Sequence, residues 1–388
     1  MTCEITVYFK SGMKEVKMLN MKKWLSITML GILVVGSFNF AGCKKEEKVI
    51  KIGAILPLTG NLAFLGKPEQ VAIQIAQNEI NKEGKIKVEI IFGDSKADPK
   101  TAVSIAHKMI NIDKVDAIIT STSGVAMAVA PIAAKNNILN FAGCMAPEVV
   151  HQGKNIFRLF INNNEEGSLL ANYLAKHYHK IGILVINSRS PLAEAKIIRK
   201  IFEKRGGKVI LQETYEFTTK DFTPMLIKLK NSPIEALVLC GYGFKYPTIF
   251  KTMRELQFNK PVVGNVSFLM PVALEEGYSL YEGVKFASLP FTRDDPRFAE
   301  FNKKYMEIAK TEPSTFADHV FFYDMVKIIA QAIEATGSTD GNKLAEYIIK
   351  KREFEGLSGK IIFDENGESL IPMKMAEFKG GKIVWIEE

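Results

Sequence analysis

The feature that most constrains this chain is a repeated alternation between short apolar runs and longer segments of helical period. Val49 to Leu56, Lys87 to Phe92, Ala117 to Thr120 and Ile138 to Phe141 read as buried strands. Between the first two, Glu69 to Asn81 carries apolar residues at 71, 72, 75, 76 and 80, the spacing of one helix face. Asp98-Pro99 is a helix start, an acidic cap before a proline in the first turn, and the helix it opens runs to Ile110. Val125 to Lys135 is a third helix. Strands that are apolar throughout, each followed by a helix, are satisfied by a parallel sheet covered on both faces.

The same rhythm restarts after Arg158. Strands are expected at Lys180 to Ile186, Lys208 to Glu213, Ala236 to Cys240 and Pro261 to Gly264. Helices are expected at Gly167 to Lys176, Leu192 to Arg205, Phe222 to Lys230 and Tyr246 to Gln257. A chain of 388 residues is long enough for two such domains. Beyond Ser288 to Asp295 come two long helices, 296–309 and 316–335, and a shorter one at 341–351, with no strands between them. Helices without strands are expected to return to the first domain. The tail from Gly359 alternates like antiparallel strands, with Asn366-Gly367 as a turn. The fold class is therefore α/β, two Rossmann-like lobes with parallel sheets joined by a multi-strand hinge. Residues 50–163 and 289–356 form lobe 1, and 164–288 with 357–388 form lobe 2. A cleft between such lobes hinges and takes small ligands.

The first 43 residues do not share this pattern. Met21-Lys22-Lys23 is followed by an apolar run from Trp24 to Phe38 and then by Ala41-Gly42-Cys43. A basic start, an apolar stretch and small residues describe a secretory signal. The run of about 15 residues is shorter than the roughly 20 that a spanning helix needs. The ending resembles the lipoprotein signal of bacteria and some archaea, with Phe40 where leucine is usual, which implies lipidation at Cys43. Residues 1–43 are expected to be the signal peptide, with translation starting at Met18 or Met21, and 44–49 a spacer. The folded part is expected outside the cytoplasm, anchored to the membrane through lipid.

Several function classes fall away. The formal charge of +8 arises from lysines spread over the whole chain, without a basic cluster interleaved with aromatics, so nucleic acid is not an expected partner. The glycines around Gly60, Gly66 and Gly124 have the wrong spacing for a phosphate or dinucleotide loop. His177 and His179 are two apart, whereas a helical metal pair wants three or four. No segment joins a nucleophile, a base and an oxyanion site. No enzyme, cofactor or metal is expected.

In open parallel sheets, ligands bind beyond the C-terminal strand ends. Thr120-Ser121-Thr122-Ser123-Gly124 lies at such an end and feeds a helix, whose first N–H groups attract an anion. Phe141-Ala142-Gly143-Cys144-Met145 is a second strand end, with small residues that let backbone approach a ligand. Ser121, Thr122 and Ser123 with main chain of Gly143, Cys144 and Met145 thus form a candidate carboxylate site. A plain helix cap is the alternative reading of the same serines. Cys144 and Cys240 suit a core or a pocket wall.

From residue 50 onward the chain resembles the leucine/isoleucine/valine-binding protein family. The resemblance rests on Lys51-Ile-Gly-Ala-Ile-Leu-Pro-Leu-Thr-Gly60, Glu79 to Asn81, Asp94 to Val103, Ser121 to Ala130, Ala146-Pro147-Glu148, Lys220-Asp221-Phe222 and Gly241-Tyr242. It implies the type I periplasmic-binding fold and a monomeric binding component of an ABC importer, partnered by a permease and ATPase subunits. It also implies that Ser121 and main chain at Gly143 hold a ligand carboxylate and that Tyr242 closes over it from the second lobe. The resemblance is incomplete. Met145 stands where a threonine is usual, and Asn163 and Val266 stand where acidic residues help hold an ammonium. The tyrosine often found near Ser190 and a disulfide between the positions of Ala97 and Thr120 are missing too. An ammonium closed in without an anionic partner is costly. Asn163, Asn164, Glu165, Glu148 and Asp94 are the local substitutes. The expected ligand is a small carboxylate-bearing solute such as a branched-chain or other neutral amino acid. The alternative is a receptor of the same fold for an amide or non-amino organic acid, serving uptake or sensing. Phe64, Leu65, Met145, Tyr242 and Phe268 are candidate apolar walls, with lobe core as the other reading of Phe64 and Phe268.

Overall fold

The computed structural model describes residues 49–387 apart from 276, 292–294 and 316–317. The signal segment and Cys43 lie outside the described residues. Among those described, no helix is long and apolar enough to cross a membrane.

The first sheet has five parallel strands, β1 (Val49–Leu56), β2 (Lys87–Asp94), β3 (Ala117–Ser121), β4 (Leu139–Gly143) and β5 (Ile156–Arg158), in the order β2-β1-β3-β4-β5. Every residue of β3 and β4 is buried, which is why these runs are apolar without alternation. Helix α1 (Ala63–Glu83) turns Glu69, Ala72, Ile73, Ala76 and Ile80 inward and ends at Gly84, whose φ of 73° lets its N–H reach the Ile80 carbonyl. Helix α2 (Pro99–Lys108) is capped by Asp98, which accepts from the Thr101 N–H at 2.8 Å. Helix α3 (Ser123–Lys135) follows β3 directly.

The second sheet has seven strands. β6 (Lys180–Ile186), β7 (Lys208–Tyr215), β8 (Ala236–Cys240), β9 (Val262–Gly264) and β10 (Lys285–Ser288) are parallel; β13 (Lys374–Lys379) and β14 (Lys382–Trp385) extend its edge antiparallel. Helices α4 (Asn163–His177), α5 (Arg189–Lys204), α6 (Thr223–Asn231), α7 (Tyr246–Glu255) and the single turn α8 (Pro271–Leu274) belong to this part of the chain. α4 begins four residues before the expected start at Gly167, because Asn162 caps it by accepting from the Asn164 N–H.

Helices α9 (Ala299–Ala309), α10 (Asp318–Thr336) and α11 (Gly341–Lys351) return to the first sheet. α10 carries Phe321, Phe322, Met325 and Ile329 into one core with Ile52, Ile119 and Phe141. Each such side chain contributes about 1.5–3 kcal/mol on burial. Strands β11 (Glu353–Gly356) and β12 (Gly359–Ile362) form a small antiparallel ladder on the same side. The first-lobe core therefore runs past the expected limit at 356. Phe363 packs against Phe141, Phe157 and Phe354 at centroid distances of 5.9, 5.5 and 6.0 Å, which fixes this segment to the first sheet. Behind it a turn holds Asn366-Gly367, where Asp364 Oδ1 accepts from the N–H groups of Asn366 and Glu368 at 2.9 Å each. The chain then crosses to β13 between Ser369 and Lys374. A partly buried ion pair locks this crossing: Arg158, fully buried at the end of β5, is held by both carboxylate oxygens of half-buried Glu368. Arg158 Nη1 also donates to the Cys144 and Ile161 carbonyls at 2.7 and 2.8 Å.

Candidate functional site

The C-terminal ends of β3 and β4 open on a cavity of about 360 Å³ lined by both lobes. From the first lobe come Leu62, Leu65 and Glu69 of α1 and its approach, residues 121–124, Gly143 to Met145, and Asp318. The second lobe contributes Ser188, Arg189, Ser190, Tyr242, Val266 and Met270. Phe160, Ile161, Leu269 and Leu289 make much of the wall apolar.

The loop after β3 joins an unusual backbone conformation to an uncapped helix start. Thr122 takes a φ of 70°, uncommon for a β-branched residue, and serves as the N-cap of α3 without any side-chain cap bond. Its N–H goes back to the Gly143 carbonyl at 3.2 Å, which pins the loop to β4. Its Oγ1 is buried and has no partner. The first N–H groups of a helix have no intrahelical acceptor, and the helix dipole adds positive potential there. No side chain makes a cap bond to them, and Ser123 and Gly124 line the cavity. Ser121 behaves differently. It is 1% exposed, and its hydroxyl donates to Glu69 Oε1 at 2.9 Å.

Carboxylates gather around the same cavity, Glu69 directly against Ser121. Glu69 is buried, its Oε2 has no partner, and its pKa is held well above the ordinary carboxylate range, by burial first and by the charge of Asp318 in addition, against the Ser121 bond. Burial pushes Asp318 up to about 6. Behind Val266, Glu166 Oε1 accepts from the Val266 N–H at 2.7 Å, and burial raises its pKa to about 7. Glu194 lies deeper, accepting from Asn265 Nδ2 at 3.1 Å, and is raised by burial and by the charge of Glu166.

The cleft is thus floored by strand ends and an uncapped helix terminus. The family model for periplasmic binding proteins matches residues 49–382. The chain belongs to that family. It is 27% identical over 350 residues to the Leu/Ile/Val-binding protein homolog 1 of Brucella suis, covering 88% of this chain and 93% of the relative. It is 26% identical over 341 residues to the leucine-, isoleucine-, valine-, threonine- and alanine-binding protein of Pseudomonas aeruginosa, covering 85% and 90%. Among solved structures, the leucine-binding protein LivK of Thermotoga maritima aligns with a TM-score of 0.74 at 26% identity, covering 87% of this chain and 98% of that one. A solute-binding protein of Rhodopseudomonas palustris in complex with 3,4-dihydroxybenzoic acid aligns equally well, with a TM-score of 0.74 at 21% identity and coverage of 87% and 96%, a likeness of fold. The members of this family are substrate-binding proteins that act outside the cytoplasm, and the chain is a binding protein rather than an enzyme.

Within this binding protein the residues singled out from sequence take distinct places. Ser121, Thr122, Ser123, Gly143, Cys144, Met145, Leu65 and Tyr242 all line the cavity. Gly143 is a glycine for a packing reason: a Cβ there would collide with the Phe322 ring. Cys144 is buried, its thiol pushed up to about 11 by burial. Asn163 sits just behind the wall, where its Oδ1 accepts from Ser190 Oγ at 3.2 Å while Ser190 also reaches Met145 Sδ at 3.1 Å. Phe64 packs edge-on against Tyr242 and Phe244 at centroid distances of 5.6 and 5.1 Å, so aromatic rings of the two lobes meet beside the cavity. The Tyr242 hydroxyl meets Ser188 Oγ at 3.2 Å. Phe268 is core: it is fully buried and packs 4.4 Å from Tyr246. Asp94 is occupied in its own loop, accepting from Leu58, Thr59 and Lys96 main chain. Glu69, Asp318, Ser188 and Arg189 were not legible as site residues. For Glu69 a signal existed, since an acid stands on the same helix face as Ala72, Ile73, Ala76 and Ile80.

Proposed function

We propose that this protein is the solute-binding component of an ABC importer, anchored outside the cytoplasm through lipid on Cys43. It takes a small carboxylate-bearing solute into the interlobe cleft and hands it to a permease as a monomer. The observation that carries the ligand chemistry is the bare end of α3 with the unpartnered Thr122 Oγ1 beside it. A carboxylate there accepts from the Ser123 and Gly124 N–H groups and from the Thr122 hydroxyl. The apolar wall of Phe160, Ile161, Leu269 and Met270 takes the rest of the solute. Contacts from both lobes then favour the closed form over the open one. Relatives and neighbours named for leucine, isoleucine and valine binding support an aliphatic amino acid. A second reading, an aromatic organic acid, is favoured by the apolar wall and by neighbours bound to benzoate and 3,4-dihydroxybenzoic acid.

Calorimetry on the full chain in detergent, freed of copurified solute by dialysis, tests the anion assignment. Free acids are expected to bind at least about tenfold more tightly than their methyl esters, because a charged acceptor at a buried donor is worth more than a neutral one. Esters binding as tightly as acids would refute it.

A further inference from the structure

The cleft holds a second polar feature, of opposite sense to the first. Glu69 is 2% exposed, one of its oxygens is spent on Ser121, and the other is buried without a partner. Asp318, in the first turn of α10, lines the same cavity and is close enough for its charge to act on Glu69. Neither makes an ion pair among the described residues. The groups that face them are the Ser121 hydroxyl on β3, Tyr242 and Arg189 across the cleft, and Glu166 on α4. Arg189 is exposed at the cleft's edge. His319, next to Asp318, packs the other way, with its Nδ1 3.0 Å from Thr315 Oγ1. Carboxylates withdrawn from water without a cation are unfavourable, and the cost is removed when a donor or cation arrives with the ligand.

We infer that Glu69 and Asp318 form a donor-binding subsite on the first lobe, which selects solutes carrying an ammonium group in addition to the carboxylate. The inference rests on the carboxylate reading above and names the chemistry of the solute's other polar end. The acidic partners missing at Asn163 and Val266 are thereby replaced from a different wall, α1 and the start of α10. The unpartnered hydroxyl of Thr122 and the unpartnered oxygen of Glu69 then meet the two poles of one zwitterion. Both acids hold protons more readily than free carboxylates because Glu69 is buried and half-buried Asp318 is desolvated, so arrival of an ammonium expels protons to solvent.

The test is calorimetry on the full chain with three ligands sharing one apolar body: leucine, 4-methylpentanoate and leucinamide. Leucine is expected to bind at least about thirtyfold more tightly than 4-methylpentanoate, in keeping with loss of a charge-assisted bond and an acid left unpaired. Titrations in buffers of different ionisation enthalpy should show proton release with leucine and none with 4-methylpentanoate. In Glu69→Gln and, separately, Asp318→Asn, the preference for leucine should shrink to within about threefold. If 4-methylpentanoate matches leucine, the donor subsite is refuted and the carboxylate reading stands. If leucinamide matches leucine, the carboxylate reading fails while the subsite stands. Absence of binding by all three, or an unchanged preference in both variants, would overturn the subsite.

Discussion

Thr122→Val separates a group that serves the ligand from one that serves the fold. The two side chains are nearly the same shape, and both are β-branched, so the positive φ of 70° at this position is equally unfavourable in each. What changes is one hydroxyl. In the ligand-free protein Thr122 Oγ1 is buried and makes no hydrogen bond, so its removal takes nothing from the folded state. Burying an unpaired hydroxyl costs about 1–3 kcal/mol by mutational measures, so valine should leave stability unchanged or raise it by up to about 1 kcal/mol once relaxation is allowed. In the bound state the hydroxyl would donate to a carboxylate, a bond to a charged group worth about 1.5–3 kcal/mol. The dissociation constant should therefore rise by roughly 10- to 150-fold. Urea unfolding without ligand and calorimetry with the best-bound acid read the two quantities independently. Affinity within about threefold of the wild type, or a loss of free-state stability above about 1 kcal/mol, would refute the reasoning. Ser121→Ala provides the contrast. It removes the one bonded partner of Glu69 Oε1, so it should destabilise the free protein by about 1–3 kcal/mol.

Arg158→Met should cost about 3–5 kcal/mol in urea unfolding, because it leaves Glu368 with Asn162 Nδ2 in place of a cation and the carbonyls of Cys144 and Ile161 without the guanidinium donor; a cost below about 1 kcal/mol would show that the crossing is held by other contacts. The pH dependence of stability follows from carboxyls raised by burial, Asp318 and Asp324 to about 6, Glu166 to about 7, and Glu69 and Glu194 likewise raised, which outnumber the opposing buried His319, held down to about 3. A raised carboxyl binds its proton more tightly in the fold than in the unfolded chain. Its contribution is therefore present at low pH and is lost as pH climbs from the unfolded value near 4 through the folded one. The thermal midpoint without ligand should fall between about pH 5 and 7.5, and a midpoint that rises over that window would contradict the assignments.

The fold was largely legible because its signals are local and repeated. Apolar strands such as Ile118-Ile119, the Asp98-Pro99 cap and the inward face of α1 each say the same thing at short range, and the structure realises all three. Where the reading drifted, tertiary contact was responsible. Residues 357–373 alternate like a strand pair that belongs with the tail, yet Ile361 and Phe363 are drawn into the first-lobe core by aromatic rings from β4 and β5. Nothing within seven or eight residues of Phe363 announces Phe141.

The site divides along the same line. Main-chain geometry at a strand end can be anticipated from small and hydroxyl residues, so the segment at 121–124 and the strand end at 143–145 were visible in advance, and both line the cavity. Which hydroxyl is spent inside the protein was not visible, because Ser121 and Thr122 are neighbours of similar chemistry, yet Ser121 is bonded to Glu69 while Thr122 Oγ1, at a residue of positive φ, has no partner. The acids were hidden more deeply. Glu69 and Asp318 lie 249 positions apart, 318 minus 69, on helices that meet only because α10 returns to pack on α1. The acids near the strand-end loops along the chain include Asp94 and Glu148, whereas the acids that reach the cavity come from the helix packing. An acid among the apolar residues of a buried helix face is the pattern to weigh in such a sequence. Burial demands a partner for it, and where the protein supplies too few, the ligand is the remaining source.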